Sequence, residues 1–177
     1  MARTVYFAAA SLDGFIVSVQ DCGQWAGKPG GAIPPGIPAP AFPGIGAVAM
    51  GAHTYRSYTH APESWPHGSV PAWIFTHREF SGISGANITF VRGDVAEFHP
   101  DIVFDAGGRD IFLAGENLAA QFLGYGLVDQ VVLTVLPVTL GSGRPVLPDR
   151  NLAEAASLVG ERALGQGMVQ QHYDLQR

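Results

Sequence analysis

The sequence predicts an α/β fold: a mixed, mostly parallel central sheet of about eight strands flanked by helices, with a C-terminal antiparallel hairpin. Three observations predict it. Short apolar runs alternate with stretches of helical spacing along the chain. From Asp110 to Val128, D-I-F-L-A-G-E-N-L-A-A-Q-F-L-G-Y-G-L-V passes from an apolar run through Gly115 into a helical pattern. Two further runs, Ala155–Leu164 and Met168–Leu175, are joined through Gly165-Gln166-Gly167, which reads as a hairpin.

Taken in order, Thr4–Ala10 is β-branched, aromatic and small, the pattern of a buried strand. Asp13-Gly14 then turns the chain. The segment 20–46 carries prolines at 29, 34, 35, 38, 40 and 43, a spacing no regular helix survives, and is expected to be a Pro/Gly-rich loop. Ala47–Met50 reads as a strand, and His53–Tyr58 as the first turns of a helix. Ala72–Thr76 and Ile88–Arg92 are further strands. Pro100 is expected to break the next stretch, leaving Asp101–Ala106 helical. Asp110–Ala114 is the central strand. Leu118, Ala119, Phe122 and Leu123 recur at helical spacing behind it, with Asn117 as the expected N-cap. Gln130–Val135 is a strand, and the tract Val131–Leu140 is expected near a sheet edge. No linker interrupts the chain, so residues 1–177 are expected to form one domain.

Composition excludes several classes of function. A net charge of -5 over 177 residues, with no basic stripe, argues against a nucleic-acid partner. No apolar run reaches the length of a membrane span, so no membrane partner is expected. Cys22 is the only cysteine, which rules out an internal disulfide and fits a cytoplasmic location. His53, His60 and His67 recur every seven residues, but Pro62 and Pro66 break any shared helix face. No metal site is expected. The strand, glycine turn and helix at Asp110–Val128 place free backbone N–H groups and a positive dipole end at one point, which suits a phosphate.

Four motifs occur in a fixed order: S-L-D-G-F-I after the first strand, M-G-A-H-T-Y after the second, A-G-E-N-L-A, and G-L-V-D-Q-V-V-L-T-V-L-P-V-T-L-G-S-G-R-P-V-L. The series resembles the C-terminal reductase domain of the bacterial bifunctional riboflavin deaminase-reductase and its stand-alone relatives, which share the dihydrofolate reductase-like fold. The resemblance covers nearly the whole chain except the proline-rich segment. It implies a reduced nicotinamide cofactor, NADPH, across the carboxyl ends of the strands. Gly51, His53 and Thr54 would face the pyrophosphate at a strand-to-helix turn. Thr76, His77 and Arg78 would meet the adenosine 2′-phosphate. Gly115 would let the backbone approach the phosphates, with Glu116, Asn117 and Leu118 opening the helix beside them. Ala10 and Ile16 would line the nicotinamide.

Three positions depart from the relatives. Ala52 stands where they commonly carry arginine, Glu116 where they carry a second glycine, and Ala114 where the riboflavin-pathway reductases carry glutamate. The chemistry expected is hydride transfer to a C=N or C=O bond of a small heterocyclic substrate, pterin-like or pyrimidine-like. Asp13 is the candidate acid beside the nicotinamide, and Ser11 the candidate for orienting substrate. Asp13 also suits the plain role of capping its own Asp-Gly turn. The alternative is a non-catalytic dimeric binding module with a degenerate cofactor site. Relatives often dimerise, so a homodimer is expected.

Overall fold

The computed structural model describes residues 2–17, 44–59, 65–147 and 156–176. The Pro/Gly-rich loop expected at 20–46, with Cys22, lies outside the described residues except for 44–46, as does His60. Eight strands are hydrogen-bonded in the order β4 (Ile88–Val91), β3 (Ala72–Phe75), β2 (Ile45–Gly51), β5 (Asp110–Ala114), β1 (Thr4–Ala10), β6 (Gln130–Val135), β8 (Met168–Leu175) and β7 (Ala156–Gly165). Two compact units make up the described chain. One draws on Met1–Tyr6 and Ala41–Asp129, the other on Phe7–Pro40 and Gln130–Arg177.

The first unit contains the start of β1 (Thr4–Ala10), then β2 (Ile45–Gly51), α1 (Ala52–Thr59), β3 (Ala72–Phe75), β4 (Ile88–Val91), α2 (Val95–Asp105), β5 (Asp110–Ala114) and α3 (Glu116–Gly124). Its strand pairs are all parallel. A parallel strand covered on both faces must be apolar throughout rather than alternating. β2 and β5 obey this: Ala47, Val48, Ala49 and Met50 are wholly buried, and so are Ile111 and Leu113. Trp73 and Phe75 share one face of β3 and meet Phe98 of α2, and Phe75 also meets Phe122 of α3. Phe90 pairs in register with Ile74, on the opposite face, where the Tyr55 ring of α1 stands edge-on to it at 5.4 Å.

Two helix starts differ from expectation, and β2 begins at Ile45, inside the segment expected as loop. Pro100 does not break a helix: α2 runs from Val95 to Asp105 straight through it. Pro100 is the sixth of the eleven residues, so the helix forgoes one interior bond, the one its N–H would have made to the Ala96 carbonyl. The Asp94 side chain compensates by accepting from the Ala96 amide at 2.9 Å. Hydrogen bonds from the Tyr125 hydroxyl and then the Ala96 amide hold the Asp94 carboxyl below the usual range. The N-cap of α3 is Gly115, not Asn117. The helix follows β5 with one residue between them, and Gly115 makes the turn at a φ of 93°. That value lies in a region open to glycine and strained for residues with a Cβ.

In the second unit β6 (Gln130–Val135), β8 (Met168–Leu175) and β7 (Ala156–Gly165) are antiparallel neighbours. β7 and β8 form the expected hairpin. Its two turn residues, Gln166 and Gly167, both have positive φ, at 51° and 79°, which matches the twist of a two-residue type I′ turn. Gln170 is buried on β8, and cross-strand partners satisfy it: its amide donates to Thr134 on β6 and its oxygen accepts from Arg162 on β7. Val131–Leu140 is not at an edge, because β6 lies between β1 and β8, and the edges are β4 and β7. Among the described residues no helix is long and apolar enough to cross a membrane.

Candidate functional site

Parallel strands that each feed a helix leave a crease at their carboxyl ends, where the helices begin. The first unit has such a crease, a pocket of about 260 Å³. That is below the usual range for a whole small-molecule site and suits one end of a larger ligand. β2 passes through Gly51 directly into α1, so Ala52, His53 and Thr54 present the first turn of α1 to the pocket. Gly115, Glu116, Asn117 and Leu118 present the first turn of α3, with Gln121 one turn further on. Thr76 and His77 follow β3, and Arg92 and Gly93 follow β4.

The local chemistry follows from these placements. Thr76 is buried, accepts from the Arg78 amide at 2.9 Å and donates back to the Arg78 carbonyl. This small ring turns the chain after β3, with His77 on the wall. Arg78 is not part of the wall. A Cβ at Gly115 would stand 2.8 Å from Thr54 Oγ1, so only glycine leaves the crease between the two helix starts open. As N-cap, Gly115 has no side chain to spend on the first amides of α3. Two helix N-termini, His53, His77 and Arg92 thus line the pocket together with one carboxylate, Glu116, itself the first residue of α3. Arg92 is exposed, and among the described residues its side chain makes no hydrogen bond or ion pair. The fully buried Tyr6 lies within the field of Glu116. Burial first, and that carboxylate second, push its phenol well up.

The remaining expected residues belong to the second unit. Ala10 and Ile16 form an antiparallel bridge. Ser11 is buried, with its hydroxyl between the amide (3.1 Å) and carbonyl (3.3 Å) of Phe15. The Asp13 carboxylate accepts from the amides of Leu140 at 3.1 Å and Gly141 at 2.7 Å. The Ser11 hydroxyl, then the Gly141 and Leu140 amides, hold its carboxyl down to about 2. Asp13 is therefore an anion at neutral pH, and it fixes a turn 127 residues along the chain. Leu12 and Ile16 bond to Val138 and Arg144 through the backbone, so the S-L-D-G-F-I and P-V-T-L-G-S-G-R-P motifs interlock.

The structure thus brings nine of the expected cofactor residues to one wall: Gly51, His53 and Thr54; Thr76 and His77; Gly115, Glu116, Asn117 and Leu118. Sequence reasoning missed Arg92 and Gln121. Arg92 was legible as the last residue before the Gly93-Asp94 turn, hence as a group at a strand's carboxyl end. Gln121 follows from helical spacing after Asn117.

Comparisons with known proteins agree on one fold. Residues 65–170 match the RibD C-terminal domain. Over 171 residues the chain is 26% identical to the uncharacterized protein YwjB of Bacillus subtilis (strain 168), covering 97% of each. A putative riboflavin biosynthesis protein from Shewanella sp. PV-4 superposes at a TM-score of 0.78 over 100% of both chains, with 21% identity. The dihydrofolate reductase of Enterococcus faecalis, complexed with NADP(H), superposes at 0.59 over 99% of this chain and 97% of that one, with 11% identity. What these two structures share with the chain is the dihydrofolate reductase-like fold.

Proposed function

The chain belongs to the RibD C-terminal domain family, a family of reductase domains, and from that premise we propose that it is an NADPH-dependent reductase. It transfers a hydride to a C=N or C=O bond of a small heterocycle, pterin-like or pyrimidine-like. The observation that carries this reading is the convergence of two helix N-termini on one crease that only glycine keeps open. Amides of that kind bind phosphate without any charged side chain. The residues present fit the phosphate end of a dinucleotide: Gly51–Thr54 and Gly115–Leu118 at the pyrophosphate, and Thr76, His77 and Arg92 around the adenosine end. The bound cofactor supplies the hydride. The protein holds it in place and keeps water out. Asp13, an anion at neutral pH, contributes by fixing the turn at 140–141, and the proton for the substrate comes from water or from another group.

A fluorescence titration tests the reading. NADPH should bind in the micromolar range and NADH more weakly. If neither shifts fluorescence or melting temperature at millimolar concentration, the cofactor reading fails. Arg92 and Arg78 compete for the 2′-phosphate. A charge-assisted contact is worth about 1.5–3 kcal/mol, so Arg92→Ala should weaken NADPH about tenfold or more and leave NADH nearly unchanged. If Arg78→Ala has that effect instead, the 2′-phosphate lies on the turn after β3.

Glu116 favours a second reading, a binding module whose cofactor site has degenerated, because a carboxylate on the wall repels pyrophosphate. Restoring the relatives' residues with Ala52→Arg and Glu116→Gly separates the two. Strong binding gained from none supports the degenerate module. A change of less than about threefold on a protein that already binds supports the reductase.

A further inference from the structure

His67 lies between α1 and β3, is only 7% exposed, and has an Nε2 with no hydrogen-bond partner. Such an atom is a standing loss of stability that phenylalanine in its place would not incur. Rings surround it: Trp65 at 4.9 Å between centroids, Phe112 of β5 at 5.8 Å and Tyr58 of α1 at 6.1 Å. Among the described residues no charged group faces it. Tyr58, from α1, is held neutral by burial, which pushes its phenol up, and neither Trp65 nor Phe112 ionises. Burial also holds the imidazole down to about 4, so it is neutral at pH 7.

The cage is tied to the pocket by one short element. Tyr55 and Tyr58 of α1 both stand edge-on to Trp65, at 6.2 and 5.4 Å. α1 has eight residues, and its first turn, Ala52–Thr54, walls the pocket. Eight residues span about 12 Å, too short to absorb a shift at one end by bending.

We propose that His67 is an acid-sensitive latch on α1: the ring cage holds the helix only while the imidazole is neutral, and a protonated ring leaves the cage and loosens α1 at the pocket. The sign follows from linkage. The caged ring resists a proton that the released ring accepts at its ordinary value near 6.5. Acid therefore favours release between about pH 6.5 and 4, and above that window the latch stays shut. The effect on the pocket is weaker binding of the dinucleotide, and only this last step rests on the cofactor reading.

The test compares the full chain with its His67→Phe variant, and with His67→Leu should phenylalanine fail to fold. Amide hydrogen exchange of residues 52–59, corrected for intrinsic rate, is read at pH 7.5 and pH 5.0 without ligand. Thermal and denaturant unfolding are read over the same range. At pH 7.5 the variant should melt at or above the wild type. Between pH 7 and 5 the wild-type unfolding equilibrium should move about twentyfold further toward unfolded than the variant's. α1 should lose protection at pH 5.0 in the wild type alone. Equal acid profiles in the two proteins, or α1 amides equally protected at both pH values, overturn the latch. NADP⁺, which tolerates acid, is then titrated calorimetrically. An acid weakening about fivefold greater in the wild type than in the variant carries the latch to the pocket, and an equal one overturns that coupling. If neither protein binds NADP⁺ at pH 7.5, the cofactor reading falls, and the exchange result alone decides the latch.

Discussion

Gly46→Ala should lower the melting temperature by about 10 °C. Gly46 is buried in β2, at the irregularity of register between Ile45 and Ala47. A Cβ there would lie 2.0 Å from the Ala106 carbonyl oxygen and 2.7 Å from its carbon. The obstruction is backbone, with no rotamer to turn aside. Ala106 closes α2, and its carbonyl accepts from the Arg109 amide at 3.1 Å, so the helix end is anchored where it stands. The strand or the helix must move by more than an ångström. Overpacking of that kind costs about 3–4 kcal/mol, and each kcal/mol is worth about 2–4 °C in a domain of this size. Gly82→Ala serves as control, since nothing stands within 4 Å of its Cβ and its φ is ordinary. It should melt within about 1 °C of the wild type. Calorimetric scans of the three proteins decide the matter. A Gly46→Ala protein that melts within about 2 °C of the wild type would mean that β2 and α2 are not packed as described.

Gly115→Ala should abolish most cofactor binding with a modest loss of stability. Its Cβ would meet Thr54 Oγ1 at 2.8 Å, in a backbone conformation with φ of 93°. The conformation alone costs about 1–2 kcal/mol, a shift of a few degrees in melting temperature. Binding suffers more, because the methyl group enters the crease on which the first-turn amides of α1 and α3 converge. Losing two charge-assisted contacts there is worth about 3 kcal/mol, or roughly a hundredfold in NADPH affinity. The double variant Gly115→Ala with Thr54→Ala relieves the contact and keeps the strain. Partial recovery of affinity in the double variant would assign the loss to the crowded crease. An undiminished affinity in Gly115→Ala would remove the phosphates from this crease.

The parts of the fold set by local chemistry could be read from the residues. Thr4–Ala10, Asp110–Ala114 and Gln130–Val135 are strands over the expected ranges, because β-branched and apolar runs leave few alternatives. The hairpin at Gln166-Gly167 was legible for the same reason. Long-range effects were not. α2 continues through Pro100 because Asp94, Tyr125 and the packing of Phe98 on Trp73 and Phe75 outweigh one missing bond. Propensity alone cannot weigh those partners. At the site, the glycine turns and the helix starts were visible as motifs. The choice between Arg78 and Arg92 was not, because it depends on the Thr76 turn and on the parallel pairing that sets Val91 beside Phe75.

The interlock of residues 11–17 with 138–146 bears on how the molecule comes into being. The Asp13 carboxylate waits for the amides of Leu140 and Gly141, and Ile16 waits for the carbonyl of Arg144. On a ribosome those partners emerge after the first loop, by about 6–25 seconds at ordinary synthesis rates of about 5–20 residues per second. Until then the loop after the first strand has nothing to close on. Its final shape is set by residues 138–146, and a closure over so many residues carries the entropy cost of a long loop.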